Sequence, residues 1–332
     1  MPESTTTAMT FANAANLALK HELSSRENML VYGEDLAIPG GVFGVTKGLH
    51  AEFGARVFDT PISESAILGS AIGAAMMGMR PVVEIMWSDF MFVAFDQIIN
   101  QAANVRYLSR GEVTAPLTIR TQQGMSPGAC AQHSQSVEAI LLHIPGISVA
   151  MPSNPQDAYD ILRTAIALDD PTVVIENRTL YHGQKSSVDT SRVRDAPFAA
   201  DVVRSGSDIT VVSWGAMVNE VRDASVILDS LGIDIEIIDA RWLSPFDYKT
   251  VCASVLRTGR LAVVHEATKT GGFASELILG VLERRASPTH LPLRITTPDI
   301  RVPAAPSLMA ELRPSAKSIA RSITRYIEGT RT

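Results

Sequence analysis

Six short apolar runs punctuate the first half of the chain, at 29–32, 56–58, 81–86, 117–120, 147–151 and 172–176. Most are continuous rather than alternating, which is the pattern of strands covered on both faces. Between them, apolar residues recur at helical spacing. Thr10 is placed to cap a helix over 11–23, with Phe11, Ala14, Ala15 and Ala18 on one stripe. A long helix is predicted over 88–107, and another from Asn154 to about 168. Residues 178–207 break the rhythm with polar residues, Gly183, Pro197 and Gly206. Alternation then resumes, with strands at 209–215, 233–239, 261–266 and 293–296. Helices are predicted at 217–231, 247–257, from Gly272 onward, and at 314–328. The pattern predicts an α/β protein of two domains, each a mostly parallel sheet covered by helices. The boundaries read as 1–190 for the first domain, 191–205 for a linker and 206–332 for the second.

Composition narrows the function classes. A chain of 332 residues with 46% hydrophobic and 19% charged residues can bury two cores. A formal net charge of −6 and the lack of any basic run argue against a nucleic-acid partner. Cys130 and Cys252 have no CxxC spacing, so neither a zinc site nor a disulfide framework is indicated. Residues 1–9 lack the apolar core of a signal peptide, and no apolar run reaches the ~18 residues of a membrane span. A reducing, cytoplasmic setting is the expectation.

The chain is organised around DTPISES (59–65), which runs into AILGSAIGAAMMGM. Arg56, Val57 and Phe58 read as a short buried strand that Pro61 stops, and Ser63 as the N-cap of the helix that follows. Glu64 then falls in the first helical turn, at a strand-to-helix crevice where open α/β sheets bind ligands. The simpler reading is an acid favoured by the helix dipole. Residues 65–79 form a greasy helix with glycines at 69, 73 and 78, whose outer face needs cover, most simply another chain.

Met86, Trp87, Phe90, Phe92 and Phe95 cluster after the strand at 81–86. They read either as core or as a grip for a flat heteroaromatic ring. His133 lies among Gln132, Ser134 and Gln135, at an expected loop-to-helix turn, as a proton shuttle or a helix-capping residue. The glycine-rich loop IPGGVFGVTKGL matches no phosphate-binding motif. His265, in VVHEATKTGGF, reads as a packing or interface residue. No His/Asp/Glu spacing indicates a metal, and no GxSxG nucleophile elbow occurs.

Taken together, GEDLAIPGGVFGVTKGL, DTPISES, PVVEIMWSDF, FDQIINQAA, IRTQQG, AQHSQS, HEATKTGGF and VPAAPSL resemble one family from about residue 9 to the end. It is the β subunit of the thiamine-diphosphate-dependent component of 2-oxo acid dehydrogenase complexes. Met86 and Phe90 look most like the pyruvate and acetoin branch, since the branched-chain branch tends to carry Gln and Tyr there.

The resemblance implies a transketolase-like pyrimidine-binding domain and a transketolase-type C-terminal domain. It implies that Glu64 hydrogen-bonds a ring nitrogen of the aminopyrimidine and shares a proton with it, which favours the imino tautomer that deprotonates the thiazolium. Ile62, Met86 and Phe90 match positions around the pyrimidine, and Glu34 matches an acid near the same ring. His133 matches a histidine proposed to assist acyl transfer to lipoamide.

The family binds Mg²⁺ and the diphosphate through a GDG motif on an α subunit. No GDG occurs here, so an α2β2 heterotetramer is expected, with a lipoyl acyltransferase core as a further partner and a small 2-oxo acid or acyloin as substrate. A potassium ion in some relatives lies where this chain has Leu168 in place of an acid, so the resemblance leaves a potassium ion open and unsupported. Two rival readings are the pyrimidine-binding half of a split transketolase-like synthase and a β-like scaffold without turnover.

Overall fold

The computed structural model describes residues 6–192 and 196–330. The chain divides into two compact units. One comprises the residues up to Gln123 together with Ile140–Pro197, and the other Gly124–Ala139 together with Phe198 onward.

The first unit opens with β1 (Thr6–Met9) and α1 (Phe11–Ser25), where the Thr10 hydroxyl caps the amide of Asn13. Next come β2 (Met29–Gly33), α2 (Leu49–Phe53), β3 (Val57–Asp59), α3 (Glu64–Met76) and β4 (Arg80–Ile85). The long helix expected over 88–107 is broken. It consists of 3₁₀ turns at Ser88–Ala94, a π turn at Gln97–Gln101, a further 3₁₀ turn at Ala102–Asn104, and α4 (Val105–Leu108). The Asn104 side chain competes for its backbone, donating to the Ile99 and Asn100 carbonyls at 3.2 and 3.3 Å. Beyond it lie β5 (Thr118–Gln123), α5 (Glu138–Leu142), β6 (Ser148–Ala150), α6 (Pro155–Ala167), β7 (Thr172–Asn177) and β8 (Ser186–Asp189).

These strands form a parallel sheet in the order β6-β7-β5-β4-β2-β3, with β1 and β8 paired apart as an antiparallel ribbon. β3 is an edge strand rather than the buried one expected. Only Val57 is buried, and Phe58 stacks on Tyr32 with centroids 4.7 Å apart.

Three central strands are joined by one buried ion set. Arg120 on β5 donates to Glu84 on β4 at 2.5 Å and to both oxygens of Glu176 on β7 at 2.8 and 2.6 Å. Tyr181 also donates its hydroxyl to Glu176. All four side chains are excluded from solvent, and burial pushes the Glu84 carboxyl up from its ordinary pKa.

The second unit contains β9 (Asp201–Arg204), β10 (Ile209–Ser213), α7 (Met217–Asp229), β11 (Ile235–Asp239), β12 (Trp242–Ser244) and α8 (Tyr248–Thr258). It continues with β13 (Leu261–Thr268), α9 (Phe273–Glu283), β14 (Leu293–Thr297), α10 (Pro306–Leu312) and α11 (Ala316–Thr330). Its sheet runs β14-β13-β10-β11-β9, parallel except for β9. Ile209, Val211, Ile235, Ile237, Ala262 and Val264 pack against α7 and α11 to form its core. The linker expected over 191–205 therefore contains a strand of this sheet, and residues 193–195 of it lie outside the described residues. Its polar look comes from β9 being an edge, with Val202 left 47% exposed. Among the described residues no helix is long and apolar enough to cross a membrane.

His265 on β13 is fully buried, stacks on Trp214 at 5.1 Å, and has no hydrogen-bond partner at either ring nitrogen among the described residues. Burial, with the nearby Arg294 charge, lowers its pKa from 6.5 to about 4.

Two outcomes are expected. Arg120→Met leaves two buried carboxylates uncompensated and lowers unfolding free energy by about 3–5 kcal/mol, measurable by urea titration. For His265, the unfolded chain binds the extra proton between pH 6.5 and about 4 while the folded chain does not. Stability contributed by the neutral ring is thus lost as pH falls through that window, by about 3 kcal/mol in all. The stability difference between the wild type and His265→Phe should shrink by that amount between pH 7 and pH 4.

Candidate active site

The C-terminal ends of β3, β2 and β4 lie side by side, because β2 pairs in parallel with both neighbours. At the end of β2, Gly33 takes φ 157°, and a Cβ there would fall 2.7 Å from the Glu84 carbonyl oxygen. Only glycine lets the chain turn so close to β4. Glu34 follows immediately, and Asp35, at φ 54°, turns the chain away.

Asp59 and Thr60 stitch the next strand end to this turn. The Asp59 carboxylate accepts from the amides of Ala37 at 2.6 Å and Ile38 at 3.4 Å, and the Thr60 amide donates to the Gly33 carbonyl at 2.9 Å. Sequence reasoning missed Asp59 as a clamp. Its only signal was an acid at a strand end two residues before a proline. The glycine-rich loop folds on itself, with the Gly41 amide bonded to Asp35, the Thr46 amide to Gly40, and the Thr46 hydroxyl to Leu36. Asn16 fixes its far side through the Val45 and Lys47 carbonyls.

α3 begins at Glu64 with Ser63 at its N-cap, although the Ser63 side chain makes no capping bond. The sequence led to an acid in an apolar crevice. In this chain Glu64 is only partly buried, and Ile62 beside it is 72% exposed. Glu34 feels Glu64 directly. Burial first, then the charges of Asp35 and Glu64, push the Glu34 carboxyl above its ordinary pKa.

After β4, Met86, Trp87 and Phe90 are half-buried, and the Phe90 amide bonds the Trp87 carbonyl at 2.9 Å. The aromatic cluster read from the sequence is divided. Trp87 meets the edge of Phe43 at 5.5 Å and the Arg178 guanidinium at 4.7 Å, whereas Phe92 packs on Phe95 at 5.6 Å. Met86 and Phe90 remain at the strand mouth, so Glu34, Ile62, Glu64, Met86 and Phe90 gather around three adjacent strand ends.

His133 belongs to the second unit, in an irregular segment rather than at a helix start, since α5 opens only at Glu138. Polar groups in this segment bond to Glu266 instead of capping a helix. The Met125 amide reaches its carboxylate at 2.5 Å, and the Ser136 hydroxyl its carbonyl at 2.5 Å. His133 itself is half-buried.

The two sheets and the acid at the head of α3 define a transketolase-type chain. The model for the transketolase pyrimidine-binding domain matches residues 7–184, and that for the transketolase C-terminal domain matches 199–319. More particularly, the chain belongs to the β-subunit family of the 2-oxo acid dehydrogenase E1 components. It is 41% identical over 301 residues to the pyruvate dehydrogenase E1 component subunit beta of Acholeplasma laidlawii, covering 90% of this chain and 91% of the relative. It is 40% identical over 328 residues to the acetoin:2,6-dichlorophenolindophenol oxidoreductase subunit beta of Cupriavidus necator, covering 95% and 96%. The 3-methyl-2-oxobutanoate dehydrogenase subunit beta of Mycobacterium tuberculosis is 42% identical over 280 residues, covering 84% and 80%. Overall identity thus does not separate the branches. A solved structure described as a split gene transketolase, inactive β4 tetramer, aligns with TM-score 0.76 over 97% of this chain and 99% of that one. At 20% identity it shows the fold.

If Glu34 and Glu64 share one field, Glu64→Gln removes a like charge and lowers the Glu34 carboxyl pKa toward its ordinary value. Carboxyl ¹³C titration of the two proteins reads this directly. An unchanged Glu34 titration would show that the two carboxyls do not interact.

Proposed function

We propose that this chain supplies the pyrimidine-side half of a thiamine diphosphate site in an α2β2 2-oxo acid dehydrogenase component of the pyruvate or acetoin type. In this reading the α subunit holds Mg²⁺ and the diphosphate, and the acyl product passes to lipoamide on an acyltransferase core. The observation that carries it is the convergence of Glu64, Glu34, Met86 and Phe90 on three adjacent strand ends with one side left open. When bound, thiamine diphosphate supplies the bond-breaking chemistry at the 2-oxo or acyloin carbon.

The residues present fit the pyrimidine end of that group. Glu64 offers a carboxylate to a ring nitrogen, and burial with the charges of Asp35 and Glu64 pushes the neighbouring Glu34 carboxyl above its ordinary pKa. Ile62, Met86 and Phe90 provide apolar surface for a flat ring. Asp59 fixes the Glu34 turn against the Glu64 helix, so the two carboxyls keep their spacing. His133 is assigned to moving or holding a proton during acyl transfer.

The open face of α3 supports a partner chain. Ala66, Gly69, Ser70 and Gly73 are exposed along it, ending in Met76 at 48% and Met77 at 84%. Small residues there let another helix approach closely, and a bare methionine pair is a surface that a partner covers.

Co-expression with the α chain tests the reading. Glu64→Gln should assemble normally and lose turnover by at least about 10²-fold, the scale of a lost proton-transfer group. His133→Ala should spare decarboxylation, measured with an artificial electron acceptor, more than transfer to lipoamide. Full turnover in Glu64→Gln would end the assignment, and equal losses in both His133→Ala assays would remove its transfer role.

A further inference from the structure

The second unit contains a cavity of about 520 Å³ to which the cofactor reading gives no task. Its walls are segment 125–136, residues 267–270 at the end of β13, and residues 297–302 after β14. β13 and β14 are parallel neighbours, so the cavity sits beyond the carboxyl ends of two parallel strands. That is the position in open α/β sheets where ligands are received.

Two polar groups in it are left without the partners their chemistry calls for. Ser134 is buried to 4% exposure and lines the cavity, and its hydroxyl has no hydrogen-bond partner among the described residues. A buried hydroxyl in that state destabilises the free protein unless something else bonds it. Arg301 stands at the rim and is exposed. Its guanidinium donates to the Gln135 side-chain oxygen at 3.3 Å, and no carboxylate lies within ion-pairing distance among the described residues.

The acid two residues away does not serve it. Asp299 is engaged by the Thr270 amide at 2.9 Å and the Thr270 hydroxyl at 2.6 Å. Those bonds hold the Asp299 carboxyl below its ordinary pKa. The rest of the lining includes Met125, Ala267, Ile300 and Val302. Beside the Asp299 carboxylate that Thr270 engages, one cation without an ion pair, one orphaned donor and an apolar surface describe a site for an anion with a short apolar body.

We propose that this cavity binds a small monocarboxylate, with the carboxylate bonded by Arg301 and Ser134 and the aliphatic tail against Met125, Ile300 and Val302. A carboxylate accepts from both donors at once, and an arginine offers it a paired geometry. Because Ser134 directly follows His133, an occupant orders the segment that carries that histidine. Binding itself does not depend on the cofactor reading.

The test is isothermal titration of the full-length chain with butyrate and with its neutral isostere butyramide. Butyrate should bind saturably, and butyramide at least about tenfold more weakly, the loss of a charge-assisted hydrogen bond. Arg301→Gln should weaken butyrate by a similar factor, with Arg301→Lys intermediate. Ser134→Ala should also weaken it while raising the melting temperature of the free protein, because the orphaned hydroxyl is gone. Amides of 125–136 should exchange more slowly when butyrate is bound. Equal affinity for butyrate and butyramide, wild-type affinity in Arg301→Gln, or no saturable binding would each overturn the proposal. Glu64→Gln should bind butyrate as the wild type does, so failure of the cofactor reading and failure of this one are separable.

Discussion

Everything that gathers at the ends of β2, β3 and β4 rests on how the middle of the first sheet is held. β4, β5 and β7 are clamped by one guanidinium between two carboxylates, with Arg120 reaching Glu84 on one side and Glu176 on the other. The set places two acids and one base in a region without water, so it is not there for hydrophobic stability. Its value is geometric. A bidentate arginine accepts little sliding of one strand past another, and Glu84 is one residue from the end of β4. Met86 and Phe90 leave from that end, and the Glu84 carbonyl is also the atom against which Gly33 must fit. The ion set and the glycine together fix where β2 and β4 stop.

From those stops the candidate site follows by short connections. Gly33 hands the chain to Glu34, and Asp59 ties the Glu34 turn to the segment that starts α3. Two carboxylates are thereby held close enough for one to raise the proton affinity of the other. In a solvent-exposed setting such an arrangement is weakly coupled. Once a second surface removes the water, the same spacing becomes a strong coupling, because the field between two charges grows as the dielectric falls.

Much of the fold was legible in the sequence because its strands are doubly covered and read as unbroken apolar runs. The 81–86 and 209–215 runs became β4 and β10 within a residue or two. Thr10 and Asn154 were readable caps because a short polar side chain before a periodic stretch has one physical use. The helix over 88–107 was misread because apolar spacing does not reveal that the Asn104 side chain bonds the local backbone and that π and 3₁₀ turns take over. β9 was missed because an edge strand needs only one paired side, so its sequence can stay polar. Ala131–Ser136 looked like a helix start because its side chains are good caps, but the Ser136 hydroxyl bonds Glu266, which lies far along the sequence. The placement of Glu64, Met86 and Phe90 near strand ends was legible because a strand-to-helix turn has a short sequence signature. Asp59 and the Arg120 set could not, because their partners are set by strand register, which a single sequence does not display.

The contrast between the buried side chains of Arg120 and His265 shows how the fold uses polarity. Arg120 is fully enclosed yet keeps its charge, because two carboxylates and their hydrogen bonds replace the water it lost. His265 is equally enclosed and has no such partners, so it stays neutral and behaves as a flat apolar ring on Trp214. Gly272 lies against it so closely that a Cβ there would fall 2.8 Å from the imidazole Cε1, which leaves no room for water to enter and solvate a charge. The same burial therefore yields a fixed cation where the register supplies acids and an uncharged spacer where it does not. Glu64 belongs to neither group. It is only partly buried and stands beside Glu34, whose carboxyl its charge helps to push above the ordinary pKa.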